Sequence, residues 1–178
     1  MPLLNVEIKA RYMNSAFMRQ YLLDNGADFK GTDNQTDTYF NVPNGRLKLR
    51  QGDIENNLIY YERNNQAGPK SSHFDLVPVP DAEKLKEILS KSIGVKVVVE
   101  KKREIYFIGN VKFHIDEVPG LGSFAEIEAS NKYADLPLEE LRQQCAFYMS
   151  ELQIKEEDLI SVSYSDMLIE KANGRNQE

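Results

Sequence analysis

The chain has 178 residues, of which 41% are hydrophobic and 28% charged, and its formal net charge is −6. This length suits one domain with a sizeable core, and the negative charge argues against a general nucleic-acid binder. No stretch approaches the roughly 18 apolar residues of a membrane helix, and the N-terminus lacks the pattern of a signal peptide. The single cysteine, Cys145, excludes an internal disulfide. These features predict a cytoplasmic protein that contacts neither nucleic acid nor membrane.

The first predicted strand, from Leu4 to Arg11, has one apolar face and one polar face. The polar face carries an amide, a carboxylate and two cations: Asn5, Glu7, Lys9 and Arg11. A helix is predicted from Ser15 to Asn25, since apolar residues recur there at helical spacing and Gly26 suits its end.

The rest of the chain reads as strands joined mostly by short turns, with helices between and after them. The predicted strands are Thr36–Val42, Arg46–Arg50, Leu58–Arg63, Ser71–Val79 and three within Val97–Ala129, and the predicted helices are Asp81–Ile93, one from Pro137, Glu156–Ile160 and Ser165–Lys171. Short turns favour antiparallel neighbours, and eight strands can close into a barrel. We therefore predict an α+β fold, an eight-stranded antiparallel barrel with helices packed outside, in one domain over residues 1–171. Residues 172–178 are predicted to form a loose tail.

The polar faces of these strands carry mostly charged residues. An ordinary half-buried strand would expose such a face to water, and for any single strand a solvent-exposed charged face is the favoured interpretation. Its recurrence in five or six strands favours a second interpretation, in which the charged faces line one lumen and the apolar faces point outward under the helices. Such a lumen would have a net charge of +5, from these residues: Lys9, Arg11, Arg46, Lys48, Arg50, Arg63, Lys101, Arg103, Lys112, Glu7, Asp116, Glu126 and Glu128.

Clustered cations in a confined space repel one another and lose hydration. A bound polyanion offsets both costs, because Arg and Lys from several strands can hold one phosphate chain from all sides. The carboxylates repel that anion, but a divalent metal ion can bridge the two, and carboxylate oxygens suit Mg²⁺ or Mn²⁺. The charged faces together therefore predict a metal–triphosphate site.

Short motifs follow one another along nearly the whole chain: Asn5-Val6-Glu7-Ile8-Lys9, Asp37-Thr38-Tyr39-Phe40, Arg46-Leu47-Lys48-Leu49-Arg50, Tyr61-Glu62-Arg63, Val99–Arg103, His114–Gly122, Phe124–Glu128 and Ser163–Asp166. In this order they resemble the CYTH domains, also called triphosphate tunnel metalloenzymes, and most of all the bacterial class IV adenylyl cyclase-like group. The resemblance implies an eight-stranded tunnel, a triphosphate substrate, a divalent metal ion and, often, a homodimer. The family opens with Glu-x-Glu-x-Lys, whereas here Asn5 replaces the first acid.

The resemblance and the charges together predict roles for individual residues. Metal ligands are Glu7, Glu126 and Glu128, with Asp116 as a further ligand or as the base that orients the nucleophile. The phosphate-binding residues are Lys9, Arg46, Lys48, Arg50, Arg63, Lys101, Arg103 and Lys112. Lys101 and Arg103, with Asp116, form the predicted catalytic set, since cations beside the phosphates stabilise charge in the transition state.

The leading predicted function is that of a class IV adenylyl cyclase-like enzyme, which converts ATP to cyclic AMP and diphosphate. The alternative is a triphosphatase acting on thiamine triphosphate, a nucleoside triphosphate or inorganic triphosphate. Both reactions need the same cationic cradle and metal ion, so the charged residues do not separate them. A second alternative is a non-catalytic protein that binds polyphosphate or nucleotide, in which the replacement of the first acid by Asn5 has abolished catalysis. In each case the expected partner is a small-molecule triphosphate.

Overall fold

The computed structural model describes residues 3–63 and 68–175, without the side chain of Arg63. The strands are β1 (Leu3–Arg11), β2 (Asp28–Phe40), β3 (Arg46–Gln51), β4 (Asn57–Arg63), β5 (Lys70–Pro78), β6 (Val95–Ile108), β7 (Val111–Val118) and β8 (Gly122–Ser130). The helices are α1 (Ser15–Asp24), α2 (Ala82–Ser92), α3 (Leu138–Glu151) and α4 (Tyr164–Arg175), with a short 3₁₀ helix at Glu156–Asp158. Within these described ranges, every helix is too short or too polar to cross a membrane.

The eight strands form a closed barrel in the order β1-β5-β4-β3-β2-β6-β7-β8. Every neighbouring pair is antiparallel. The predicted eight-stranded antiparallel barrel with helices outside is confirmed. Closure pairs all strand edges, so the backbone polar groups of each strand have partners on both sides.

β2 is longer than the sequence predicts, because it begins at Asp28 rather than at Thr36. The added segment is rich in Asp, Asn and Gly, which are depleted in strands. It is held by pairing with β6 along nearly its whole length, and the register shifts beside Gly31, which has a φ of +123°. Long-range pairing therefore overrides local propensity in this half of the strand.

The outward faces of β1, β7 and β8 are apolar and lie under α1 and α3. Ile8, Phe113 and Ile127 are fully buried there, against helix residues such as Met18 and Leu141. This packing leaves the opposite, charged faces of the same strands to point into the barrel. The predicted inversion of the usual polar-out pattern is thus confirmed for these three strands.

A second apolar cluster lies inside the barrel, where the start of α4 packs against lumen-facing side chains. Tyr164 packs on Phe124, with ring centroids 4.9 Å apart, and both belong to a cluster with Tyr39 and Phe74. α4 then continues to Arg175, so four residues of the segment predicted as a loose tail are helical. Residues 176–178 lie outside the described part of the chain.

Candidate active site

One cavity of about 150 Å³ lies inside the barrel, and charged side chains from six strands line it. Its cations are Lys9, Lys48, Arg50, Lys101, Arg103, Lys112 and Lys132, and its carboxylates are Glu7, Asp37, Glu55, Glu126 and Glu128. The fold thus brings most of the predicted phosphate-binding residues and three of the four predicted metal ligands to a single lumen.

The lining of described residues is less positive than the predicted +5. It includes two carboxylates that the sequence analysis did not assign to the lumen, Asp37 and Glu55. Asp37 lies in a quoted motif, and its position two residues before Tyr39 was an available signal for a shared face. Glu55 comes from the loop between β3 and β4, where no strand periodicity could have indicated its direction.

Two of the cations assigned to the lumen from the sequence, Arg46 and Arg11, do not line the cavity. Arg46 donates to Asp166 Oδ2 at 2.9 Å and to Ser163 Oγ at 2.8 Å, so it holds the start of α4 and does not line the cavity. Arg11 is exposed and donates to the Leu121 carbonyl. Arg63 ends β4, and its side chain is outside the described residues.

Asp37 is the fixed counter-charge for three of the cations. Its fully buried carboxylate accepts two hydrogen bonds from Arg50, both at 2.9 Å, and one each from Lys101 at 2.8 Å and Lys48 at 3.1 Å. Burial raises the pKa of Asp37, but the charges of Arg50, Lys101 and Lys48 outweigh it and hold that pKa well below its usual range. The carboxylate therefore stays ionised and fixes the directions of all three side chains.

Burial and the same clustering of cations lower the pKa of Lys101. Burial, together with the positive charges of Arg50, Arg103 and Lys48, lowers the pKa of the Lys101 ammonium to about 7, although Asp37 opposes the shift. A lysine with such a pKa can hold or release a proton near neutral pH. The role that the sequence predicts for Lys101, to stabilise charge on the phosphates, requires the protonated form, which the contact with Asp37 favours.

Arg103 is held by a bidentate ion pair with Asp116. Its Nε and Nη2 atoms donate to the two oxygens of Asp116 at 2.7 and 2.6 Å, and Nη2 also contacts Glu126 at 3.1 Å. The Tyr164 hydroxyl donates to Asp116 at 2.8 Å. Asp116 is fully buried and does not line the cavity, so the geometry places it behind Arg103 as the group that orients the guanidinium.

The carboxylates Glu7, Glu126 and Glu128 line the cavity together with Asn5. Asn5 Nδ2 donates to Glu128 at 2.6 Å, and Asn5 Oδ1 is buried with no hydrogen-bond partner among the described residues. Burial, with the charges of Glu7 and Glu126, raises the pKa of Glu128, although Lys112 opposes this. An unpartnered amide oxygen beside carboxylates that repel one another fits a hard divalent cation.

A different trio, His114, Asp116 and Glu126, has potential ligand atoms within 4.8 Å of one another. The Arg103 guanidinium already contacts both carboxylates of that trio, so it occupies the position that an ion would take. Burial and the charge of Arg103 lower the pKa of His114 to about 4, so its neutral ring hydrogen-bonds Glu126 at 2.9 Å. The cavity-lining set, which shares Glu126 with this trio but not Asp116, is therefore the better candidate for a metal site.

The CYTH domain family model matches residues 3–164 of the chain. A Methanocaldococcus jannaschii protein, MJ0240, provisionally named an adenylate cyclase, is 29% identical over 183 residues, which cover 93% of this chain and 98% of that protein. The adenylate cyclase CyaB of Aeromonas hydrophila is 32% identical over 101 residues, covering 54% of this chain and 51% of CyaB.

Solved structures show the same architecture. PH1012 of Pyrococcus horikoshii OT3 has a TM-score of 0.75 at 25% identity, over 91% of this chain and 98% of that one. HpAC1 of Hippeastrum, provisionally an adenylyl cyclase and described as having a dominant triphosphatase activity, has a TM-score of 0.60 over 96% of each chain. Its identity of 14% supports similarity of fold alone.

Proposed function

The chain belongs to the CYTH domain family and is an enzyme of that family, and we propose that it catalyses metal-dependent phosphoryl or adenylyl transfer from a triphosphate bound in the tunnel. One observation carries this proposal. Cations from β1, β3, β6 and β7 and carboxylates from β1 and β8 converge on a single cavity. A triphosphate matches the cations, and a metal ion joins that anion to the carboxylates.

In this proposal the lumen cations bind and orient the phosphate chain: Lys9, Lys48, Arg50, Lys101, Arg103 and Lys112. Arg103 is pre-organised by Asp116, so its charge stabilises the transition state without reorganising at the moment of reaction. Both oxygens of Asp116 are engaged by Arg103 and Tyr164. Asp116 therefore acts as a positioning residue for Arg103, in place of the ligand or base role predicted from the sequence.

Glu7, Glu126 and Glu128 would hold Mg²⁺ or Mn²⁺, with the Asn5 amide oxygen as a neutral ligand. The bound ion supplies Lewis-acid activation of the phosphate and neutralises charge that develops on it. Glu126 is also in contact with Lys9, at 3.6 Å, and with Arg103. It therefore links the metal-binding carboxylates to the phosphate-binding cations.

Adenylyl cyclase activity is the proposed reaction, and the names of MJ0240 and CyaB support it. The ribose 3′-hydroxyl oxygen of ATP would attack the α-phosphorus, and diphosphate would leave with the electrons of the broken P–O bond. Lys101 stays protonated in this proposal, because Asp37 and the bound triphosphate both favour its charged form, and the proton of the hydroxyl passes to solvent. Hydrolysis is the alternative, with water as the nucleophile, because that reaction needs the same cations and the same metal ion.

Product analysis tests the proposal. The protein is incubated with ATP, thiamine triphosphate or inorganic triphosphate, each with Mg²⁺ or Mn²⁺, and the products are separated by chromatography. We expect cyclic AMP and diphosphate from ATP. Phosphate release without cyclic AMP would assign the triphosphatase reaction, and no turnover of any substrate would overturn the proposal. A Glu126→Gln preparation is the control for contaminating phosphatases.

Asn5→Glu should strengthen metal binding by about 1–3 kcal/mol, because it replaces a neutral ligand with a charged one and repulsion from Glu7 and Glu128 offsets part of the gain. The measurement is calorimetric titration of Mn²⁺ with a non-hydrolysable triphosphate analogue bound. Asn5→Gln, which keeps the amide, is the matched control and should show no gain. Unchanged affinity in Asn5→Glu would mean that this position does not face the metal.

A further inference from the structure

Glu55 lies across the cavity, between cations of two strands that are not neighbours. One carboxylate oxygen accepts from Arg50 Nη1 on β3 at 3.3 Å and from Gln35 Nε2 at 2.9 Å. The other oxygen accepts from Lys112 Nζ on β7 at 2.5 Å. Arg50 and Lys112 are cationic donors that line the cavity, so each of them could bind a phosphate oxygen in place of Glu55.

The loop that carries Glu55 is built to aim it into the cavity. The fully buried carboxylate of Asp33 accepts from the backbone N–H groups of Ile54 and Glu55, both at 3.0 Å. The side chain of Asn56 closes the loop by bonding both the N–H and the carbonyl of Gly52. A Cβ at Gly52 would lie 2.6 Å from Asp33, so the turn requires glycine there.

Glu55 and Asp37 differ in how easily they can move. Asp37 is on a barrel strand, is fully buried and takes the Nε and Nη2 atoms of Arg50. Glu55 is on a loop, its side chain is 20% exposed, and it takes the remaining Nη1 atom. Among the described residues, Glu55 is the carboxylate that forms an ion pair with Lys112. A phosphate that takes the N–H donors of Arg50 Nη1 and Lys112 Nζ that face Glu55 would therefore displace Glu55, whereas Asp37 stays in place.

We propose that Glu55 is a displaceable internal anion that occupies a phosphate-binding position in the free protein and lowers its affinity for triphosphates. The inference rests on the proposed function, that the tunnel binds a triphosphate. In the free protein the carboxylate offsets repulsion between Arg50 and Lys112. When substrate binds, a phosphate replaces it on the same donors. After the reaction Glu55 competes with the leaving anion for those donors, which favours release of the product.

Metal-free calorimetry with inorganic triphosphate tests the proposal on the whole chain. Glu55→Gln keeps the size of the side chain and removes its charge, and it should bind triphosphate at least about tenfold more tightly than the natural protein. Glu100→Gln makes the same charge change at an exposed position of β6. This control should bind within about twofold of the natural protein, because solvent screens its charge.

Whether Glu55→Gln raises or lowers the affinity for triphosphate separates the proposed role of Glu55 from a purely structural one. If Glu55 only held Arg50 and Lys112 in place, Glu55→Gln would bind more weakly, and equal or weaker binding overturns the inference while leaving the proposed function intact. If neither protein binds triphosphate, the proposed function and this inference both fail. Thermal unfolding without ligand confirms that the variant is folded.

A second variant keeps the test decisive if Glu55→Gln does not fold. Asn56→Ala removes the two loop-closing hydrogen bonds and leaves every charge of the lumen unchanged. A looser loop lets Glu55 leave more easily, so triphosphate should bind more tightly, by up to about fivefold. Weaker or unchanged binding in this variant would contradict a displaceable Glu55.

Discussion

Asp37→Asn should lower the free energy of unfolding by about 3–5 kcal/mol, the typical cost of removing one partner from a buried ionic cluster. The substitution leaves Lys48, Arg50 and Lys101 close together without the carboxylate that each of them contacts. Urea unfolding, followed by circular dichroism at neutral pH, measures the effect. Asp75→Asn makes the same charge change at an exposed position of β5 and should cost less than about 0.5 kcal/mol.

The dependence on pH and on ligand should identify the cause of that loss. The pKa of Asp37 is depressed in the folded protein, so its stabilising contribution is complete above about pH 4, the unfolded value, and is lost as pH falls toward the folded value. The difference in unfolding free energy between Asp37→Asn and the natural protein should therefore shrink in acid.

Inorganic triphosphate should raise the stability of Asp37→Asn more than that of the natural protein, because it supplies the missing negative charge. No such rescue would contradict phosphate binding by Lys48, Arg50 and Lys101.

Arg103→Lys should reduce kcat/KM by roughly 100- to 1,000-fold, the range seen when a charge-stabilising donor is removed from a transition state. Lysine keeps the positive charge but cannot reproduce the bidentate geometry with Asp116 and the added contact with Glu126. Steady-state kinetics with the substrate identified by product analysis provide the measurement. Most of the loss should fall on kcat, because the pre-organised guanidinium acts mainly in the transition state.

The chain offers a matched control for this substitution. Arg19 makes the same bidentate contact with Glu104, at 2.8 Å for both the Nε–Oε1 and the Nη2–Oε2 pair, and neither residue lines the cavity. Arg19→Lys should therefore leave kcat/KM within about twofold, since changes away from the site have small effects. A loss of less than fivefold in Arg103→Lys would show that the bidentate geometry is not required for the reaction.

The sequence by itself determined which side of several strands is charged. Alternation in β1, β7 and β8 has a period of two, so assigning one face assigns every residue of the strand, as Ile8 outside and Lys9 inside show. Because many strands have the same polarity, a closed barrel is the arrangement that brings their charged faces together. The order of the motifs along the chain also supported a barrel. The barrel and most of the lumen lining were predictable for this reason.

Strand length and lumen charge required the tertiary structure. Residues 28–35 have poor strand propensity and are extended because β6 pairs with them, which no local pattern shows. Glu55 reaches the lumen from a loop whose direction depends on Asp33, twenty-two residues earlier in the chain. The predicted excess of positive charge was too large for two reasons: the direction of Glu55 was not visible in the sequence, and Asp37 was not assigned to the lumen although its spacing to Tyr39 indicated it.

Pairing among the charged residues also depended on the fold. The sequence indicated that Asp116 and the metal-binding carboxylates share the lumen side, but not that Arg103 would take both oxygens of Asp116. That choice follows from β6 lying beside β7, with Arg103 opposite Asp116 in register, and from Tyr164 of α4 reaching the same carboxylate. Residue type and spacing determined which chemistry the lumen holds, whereas strand neighbours and register decided which charge neutralises which, because ion pairing depends on distances of a few ångströms between segments far apart in the chain.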